Sequence, residues 1–161
     1  MAQGDMFIKI DGIEGESEDA NHKKEIQIGS FSFGASNGGS SSLGTGSASG
    51  KVVIQDLHFV KPVDKSSVNL HKYCCNGKHI PTVVLTVRKA GENPQDYMTV
   101  TLTESIISSY NISGHDGGGL PMETVSLNFS KLKHDYKPQL ASGSLGGTVT
   151  FTIDVKQNQV T

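Results

Sequence analysis

Apolar and polar side chains alternate along most of this chain, most cleanly near its end. Val149, Phe151, Ile153 and Val155 share one side of an extended segment, with Thr148, Thr150, Thr152 and Asp154 on the other. That is the pattern of a strand with one buried and one wet face. Val83, Leu85 and Val87 alternate in the same way with Thr82, Val84, Thr86 and Arg88. A longer extended segment covers 97–112, where Met98, Val100 and Leu102 point inward first and Ile106, Ile107, Tyr110 and Ile112 follow. The adjacent pair Ile106 and Ile107 breaks the period of two, which predicts a bulge or bend near Ser105. Residues 124–136 behave alike: Val125, Leu127 and Phe129 share a face before apolar character moves to Leu132 and Tyr136. Shorter strands at 6–10, 25–33 and 52–60 complete the set.

One segment departs from the strand period. DKSSVNLHKYCCNGK offers Ser66 or Ser67 as an N-cap, then Val68, Leu70, Tyr73 and Cys74 at helical spacing, then Gly77 as a C-cap. This predicts a short helix over 67–76, with Pro81 opening the next strand, where its missing N–H is tolerated. About seven strands and one helix predict a mainly β fold over 1–161, a single domain. It is a closed β-barrel or two-sheet sandwich with the helix flanking it. No repeat of 20–50 residues is present, which excludes a solenoid.

Between two of the short strands runs GASNGGSSSLGTGSASG, residues 34–50. Leu43 is its one apolar side chain longer than alanine, so the run cannot bury enough surface to order itself. A loop this long within a domain is functional or disordered. The composition predicts a flexible arm that becomes ordered only against another subunit, with a plain surface loop as the competing reading.

Composition and charge narrow the function. The chain has 161 residues, 19 Gly, no Trp and 6% aromatic residues, with a net charge of −2. Lys, Asp and Glu are interspersed, so the basic footprint of a nucleic-acid binder is missing. The start, MAQGDMFIKIDG, enters a strand without the apolar stretch of a signal peptide, and no apolar run is long enough for a membrane helix. Cys74 and Cys75 are adjacent, a geometry that disfavours pairing with each other, and are expected as reduced thiols in a helix.

Candidate chemistry is sparse. The histidines (His22, His58, His71, His79, His115 and His134) are dispersed, none in HExxH. His71, Cys74, Cys75 and His79 lack the CxxC spacing that lets two thiolates reach one zinc ion. GTGSASG is no phosphate loop, and GHDGGG (114–119) reads as a hairpin turn. Asp11, Glu14, Glu16, Glu18 and Asp19 lack EF-hand spacing and form a solvated loop. No constellation calls for an enzyme, a metal or a cofactor.

The order of segments resembles the haemolysin-coregulated protein (Hcp) family, whose members form the inner tube of type VI secretion systems and share a fold with phage tail-tube proteins. The resemblance rests on DMFIKIDGIEGES, EIQIGSFSFG, GKVVIQDLHFVKPVDKSSVNL, CNGKHIPTVVLTVRKAG, SSYNISG, ETVSLNFSKLKHDYKPQ and FTIDVKQN, which run in order along essentially the whole chain. The chain departs from the family at Phe31 and Phe33, often Trp there, in its serine-rich loop, and in the Cys74–Cys75 pair.

The resemblance implies homohexameric rings that stack into a tube, with a spike protein at the tip and a contractile sheath around it. It also implies export from the bacterial cytoplasm without a cleaved signal peptide, and effector proteins shielded in the ring lumen. On this reading Gly34, Asn37, Ser41, Leu43, Thr45, Ser47 and Gly50 belong to a ring-stacking arm. Ser32 lies between Phe31 and Phe33, so if they are buried it faces the other side. It is expected in the lumen, with Ser113 and His115 near the rim; an exposed outer position for Ser32 is the competing reading. The alternative function is a non-catalytic β-sandwich that binds carbohydrate or another ligand, in the manner of an adhesin.

Overall fold

The longest alternating segments become the longest strands. In the computed structural model, which describes residues 4–38 and 52–161, β8 (Asp96–Ser113) and β9 (Met122–Tyr136) pair antiparallel along nearly their whole length. Outward from β8 follow β7 (Ile80–Arg88), β1 (Asp5–Ile10) and the short β2 (Ile26–Gln27). The other side of β9 is shared by two partners. Residues through Leu127 pair with β6 (Leu57–Pro62), which carries β3 (Ser30–Ser32). From Lys131 onward β9 pairs with β10 (Val149–Asp154), which carries β11 (Gln159–Val160). A second sheet is the hairpin of β4 (Ala35–Asn37) and β5 (Val52–Ile54). The helix α1 (Ser67–Asn76) packs on β8.

The core fills the space between these layers. Ile8, Ile26, Leu57, Phe59, Leu70, Ile80, Val83, Val100, Val125 and Leu127 are fully buried. Large apolar side chains from strands far apart in sequence thus share one interior, and their removal from water is the main stabilising term.

The predicted bend in β8 is present and has a partner in β9. Val100 and Leu102 point into the core, and so do Ser105 and Ile107, so the inward parity changes across Glu104. Glu104 sits at φ 56, an uncommon conformation for a residue with a Cβ. Opposite it, β9 changes parity between Phe129 and Leu132. The Ser130 carbonyl at that point accepts from Val155 N at 2.8 Å. A second register shift lies between Ile107 and Ser109. Of the pair Ile106 and Ile107, only Ile107 is buried.

The helix has the predicted limits. Gly77 closes it at φ 62, and Ser66 is the N-cap. The Ser66 hydroxyl does not cap the helix; it bonds the Asp64 carboxylate, which also accepts from Ser66 N at 2.8 Å.

Several expectations are corrected. No closed sheet forms among the described residues, so the two-sheet sandwich holds and the closed barrel does not. The reason lies in 25–33, expected as one strand, which breaks where Ile28 and Gly29 change partners. Ile28 N donates to Met6 O of β1 at 3.0 Å, and Gly29 N to Val60 O of β6 at 2.8 Å. The segment 52–60 likewise divides at Gln55 and Asp56, where Gln55 N turns to bond Gly34 O at 2.9 Å. Val68 is 77% exposed, because the helix turns only Leu70 and Tyr73 of its apolar side chains fully inward. Cys74 is half-buried against the core, and Cys75 is exposed. Ile112, Tyr136, Val149 and Phe151 are also exposed; the end of β8 and the start of β10 have no layer over them.

Candidate functional site

Period-two geometry sorts β3 as the sequence suggests. Phe31 and Phe33 turn toward the core and stack with centroids 6.1 Å apart, while Ser30 and Ser32 are exposed on the other face. Across the sheet, Ser32 is in register with His58, His58 with Ser126, and Ser126 with Ser109. Residues in register on neighbouring strands share a face, so these four form one polar row. The adjoining positions Thr124, Asn111 and Ser113 lie on that same face. Sequence reasoning singled out Ser32 and Ser113 separately; the fold brings them onto one face, with exposed His115 in the turn that follows. These paired rows contain no Lys, Arg, Asp or Glu.

His58, Ser126 and Ser109 were missed in the sequence because only strand pairing makes them neighbours of Ser32. His58 Nδ1 lies 2.6 Å from Ser126 Oγ. Among the described residues no carboxylate bonds the ring's other nitrogen, so a nucleophile–base–acid arrangement is not assembled.

A second feature is an apolar edge. Phe33 meets His134 edge-on at 5.5 Å, and His134 lies 6.0 Å from Phe151. Beyond this row Val149 is 66% and Val160 62% exposed. The β4–β5 hairpin stands off β10 and β11, leaving an open groove of about 430 Å³ lined by Ala35, Val52, Ile54, Phe151, Ile153 and Val160. Of the predicted arm, Gly34 and Asn37 belong to this hairpin region, and Asn37 is exposed at the end of β4. Ser41, Leu43, Thr45, Ser47 and Gly50 lie outside the described residues.

Behind the polar face is a buried charged junction. Lys61 Nζ lies 2.6 Å from Glu123 Oε2 and 2.9 Å from Asp64 Oδ1, with Lys61 and Glu123 fully buried. The Tyr110 hydroxyl donates to the other Glu123 oxygen, and His71 of α1 stacks on the Tyr110 ring at 4.8 Å. Burial, reinforced by the Glu123 charge, pushes the Tyr110 phenol far above its usual range, so it stays a donor. The arrangement ties α1 to β6, β8 and β9.

A further charged cluster surrounds buried Arg88, which bonds Asp5 and Asp19 at 2.7 Å each. The hydrogen bond from Arg88 holds the Asp19 carboxyl below its usual range. Among the described residues no three of His, Cys, Asp and Glu are grouped so as to hold a metal ion, and no helix is long and apolar enough to cross a membrane.

Residues 7–136 match the family model described as type VI secretion system effector, Hcp. This chain belongs to the Hcp family. It is 45% identical over 156 residues to protein hcp1 of Pseudomonas aeruginosa, covering 96% of both. A solved type six secretion system protein superposes with a TM-score of 0.93 at 30% identity, over 99% of this chain and 100% of that one. The crystal structure of Hcp1 from Salmonella typhimurium gives 0.80 at 37% identity, over 99% and 100%. The chain is therefore an Hcp-type protein of a type VI secretion system, with a mainly β sandwich and a single helix among its described residues.

Proposed function

We propose that this chain is a structural subunit of the type VI secretion inner tube. It closes into homohexameric rings that stack, meet a spike protein at the tip and a contractile sheath outside, and leave the bacterial cytoplasm. In a chain of this family, the observation that carries the reading is the wet apolar edge of Val149, Phe151 and Val160. Clustered apolar surface of this kind marks an interaction site rather than a free face. A ring is a heterologous interface that closes by rotation, and stacking is a second, open-ended one.

The polar face of Ser32, His58 and Ser109, bordered by Asp56 bonded to Ser108 and Asn128, supports a lumen wall that holds effector proteins through hydroxyl and imidazole hydrogen bonds. The arm at 34–50, with Gly34, Asn37, Ser41, Leu43, Thr45, Ser47 and Gly50, supplies the ring-to-ring contact. Native mass spectrometry of the purified chain, with electron microscopy of the same sample, tests the reading. Hexameric rings with a central hole are expected; a monomer at micromolar concentration leaves the family but removes the tube.

Ser32→Gln is expected to leave rings intact and to lower co-purified effector by about tenfold, the effect of losing one well-fitted contact. Effector recovered with the variant at the wild-type level would remove Ser32 from the lumen.

A further inference from the structure

His22 is buried on the loop between β1 and β2, and both of its ring nitrogens face carboxylates. Nδ1 lies 2.8 Å from Glu25 Oε2 on the same loop, and Nε2 lies 3.1 Å from Asp96 Oδ1 at the start of β8. A neutral imidazole has one N–H and one lone pair, so it can donate to only one of two ionised carboxylates. Only the imidazolium matches both.

The ring also stacks on Phe7 of β1, with centroids 4.4 Å apart and planes 10° from parallel. The other charged groups packed around it are Asp19 on its own loop, Asp5 on β1 and Arg88 on β7. The Arg88 guanidinium lies 5.0 Å from the Phe7 ring centre and is already bonded to Asp5 and Asp19. Carboxylates outnumber this one guanidinium, so the local field favours a second cation.

We propose that His22 is a protonation-controlled latch: as imidazolium it clasps the β1–β2 loop to the start of β8, and loss of its proton lets that loop open. Burial alone would push the imidazole pKa down, but the bonds to Asp96 and Glu25 outweigh it and hold it above the ordinary value. A group raised by folding stabilises fully below its unfolded pKa, and that contribution is lost as pH rises through the folded value. None of the remaining ties of this stretch reaches β8: Asp19 is held by Arg88 of β7, Glu14 and Glu16 bond Lys65 ahead of α1, and others lie within the loop. Gly15 N donates to Lys24 O at 2.8 Å, Lys24 N to Ser17 O at 2.7 Å and Ser17 N to Glu25 O at 3.1 Å. Gly15 is required here, because a Cβ would meet Ile26 Cα at 2.6 Å. The latch uses no residue of the Ser32 face and does not depend on ring formation.

The test is amide hydrogen exchange on the full chain by NMR at about pH 5.5 and about pH 8.5, with the histidine rings titrated in parallel. The His22 ring is expected to titrate above about 6.5, the ordinary imidazole value. Protection of the Gly15 and Lys24 amides, corrected for intrinsic exchange, is expected to fall roughly tenfold across that titration, the loss of one charge-assisted hydrogen bond. His22→Gln, which keeps one neutral bond, is expected to abolish the fall, and Asp96→Asn to remove most of it. A His22 ring that titrates below the ordinary value overturns the latch, as does equal protection at both pH values or a fall that persists in His22→Gln. The wild-type titration stands alone if a variant fails to fold.

Discussion

Lys61→Met is expected to cost about 3–5 kcal/mol of unfolding free energy, measured by urea or thermal denaturation. Lys61 and Glu123 are both fully buried, 62 residues apart in sequence and 2.6 Å apart in space. Removing the ammonium leaves an ionised carboxylate in the interior with only the Tyr110 hydroxyl to stabilise it. A loss of that size is a large share of the stability of a domain whose total is about 5–15 kcal/mol. The pairing of Lys61→Met with Glu123→Leu separates the charge from the packing. A well-packed apolar pair is often as stable as a buried ion pair, so the double variant should recover more than half of the loss. Asp64 stays bonded to Ser66 in either variant, which limits the damage to the Glu123 side. A single-variant cost under about 1 kcal/mol, the range of exposed pairs, would mean that water reaches the junction.

Phe151→Asp is expected to convert the proposed ring to single chains in native mass spectrometry while leaving the melting transition of the chain nearly unchanged. Phe151 is 41% exposed and touches His134, so the fold loses little when it is replaced. At an interface the same side chain is an anchor whose removal costs about 2–4 kcal/mol, and the proposed ring would repeat that loss at every contact. The new carboxylate adds a desolvation penalty wherever the apolar edge is covered. Rings that persist in this variant would move the contact to another face. The apolar ends of the β8–β9 hairpin, Ile112, Leu120 and Met122, are then the next surface to substitute.

Much of the fold was legible because it depends on local rules. The helix over Ser67–Asn76 follows from the helical spacing of Leu70 and Tyr73 and a glycine able to take positive φ after it. The bend predicted near Ser105 follows from two adjacent isoleucines that cannot both face inward. The polar face was half legible. Alternation placed Ser32 opposite the two phenylalanines, but His58, Ser109 and Ser126 become its neighbours only through β6, β9 and β8.

The sequence by itself determined where the long strands run, where the helix begins and ends, and, through the order of its segments, the family; β4, inside the expected arm, and β11 appeared only in the structure. The tertiary structure alone decided which of two equivalent-looking apolar sides is covered. Val149, Phe151 and Ile153 share a face, yet only Ile153 is buried. It also decided that 25–33 divides between two partner strands, and that His22 meets Asp96, 74 residues away. The physical reason is common to all three. A strand's period tells which side chains point the same way, whereas burial, sheet closure and charge pairing depend on what remote segments bring to that side.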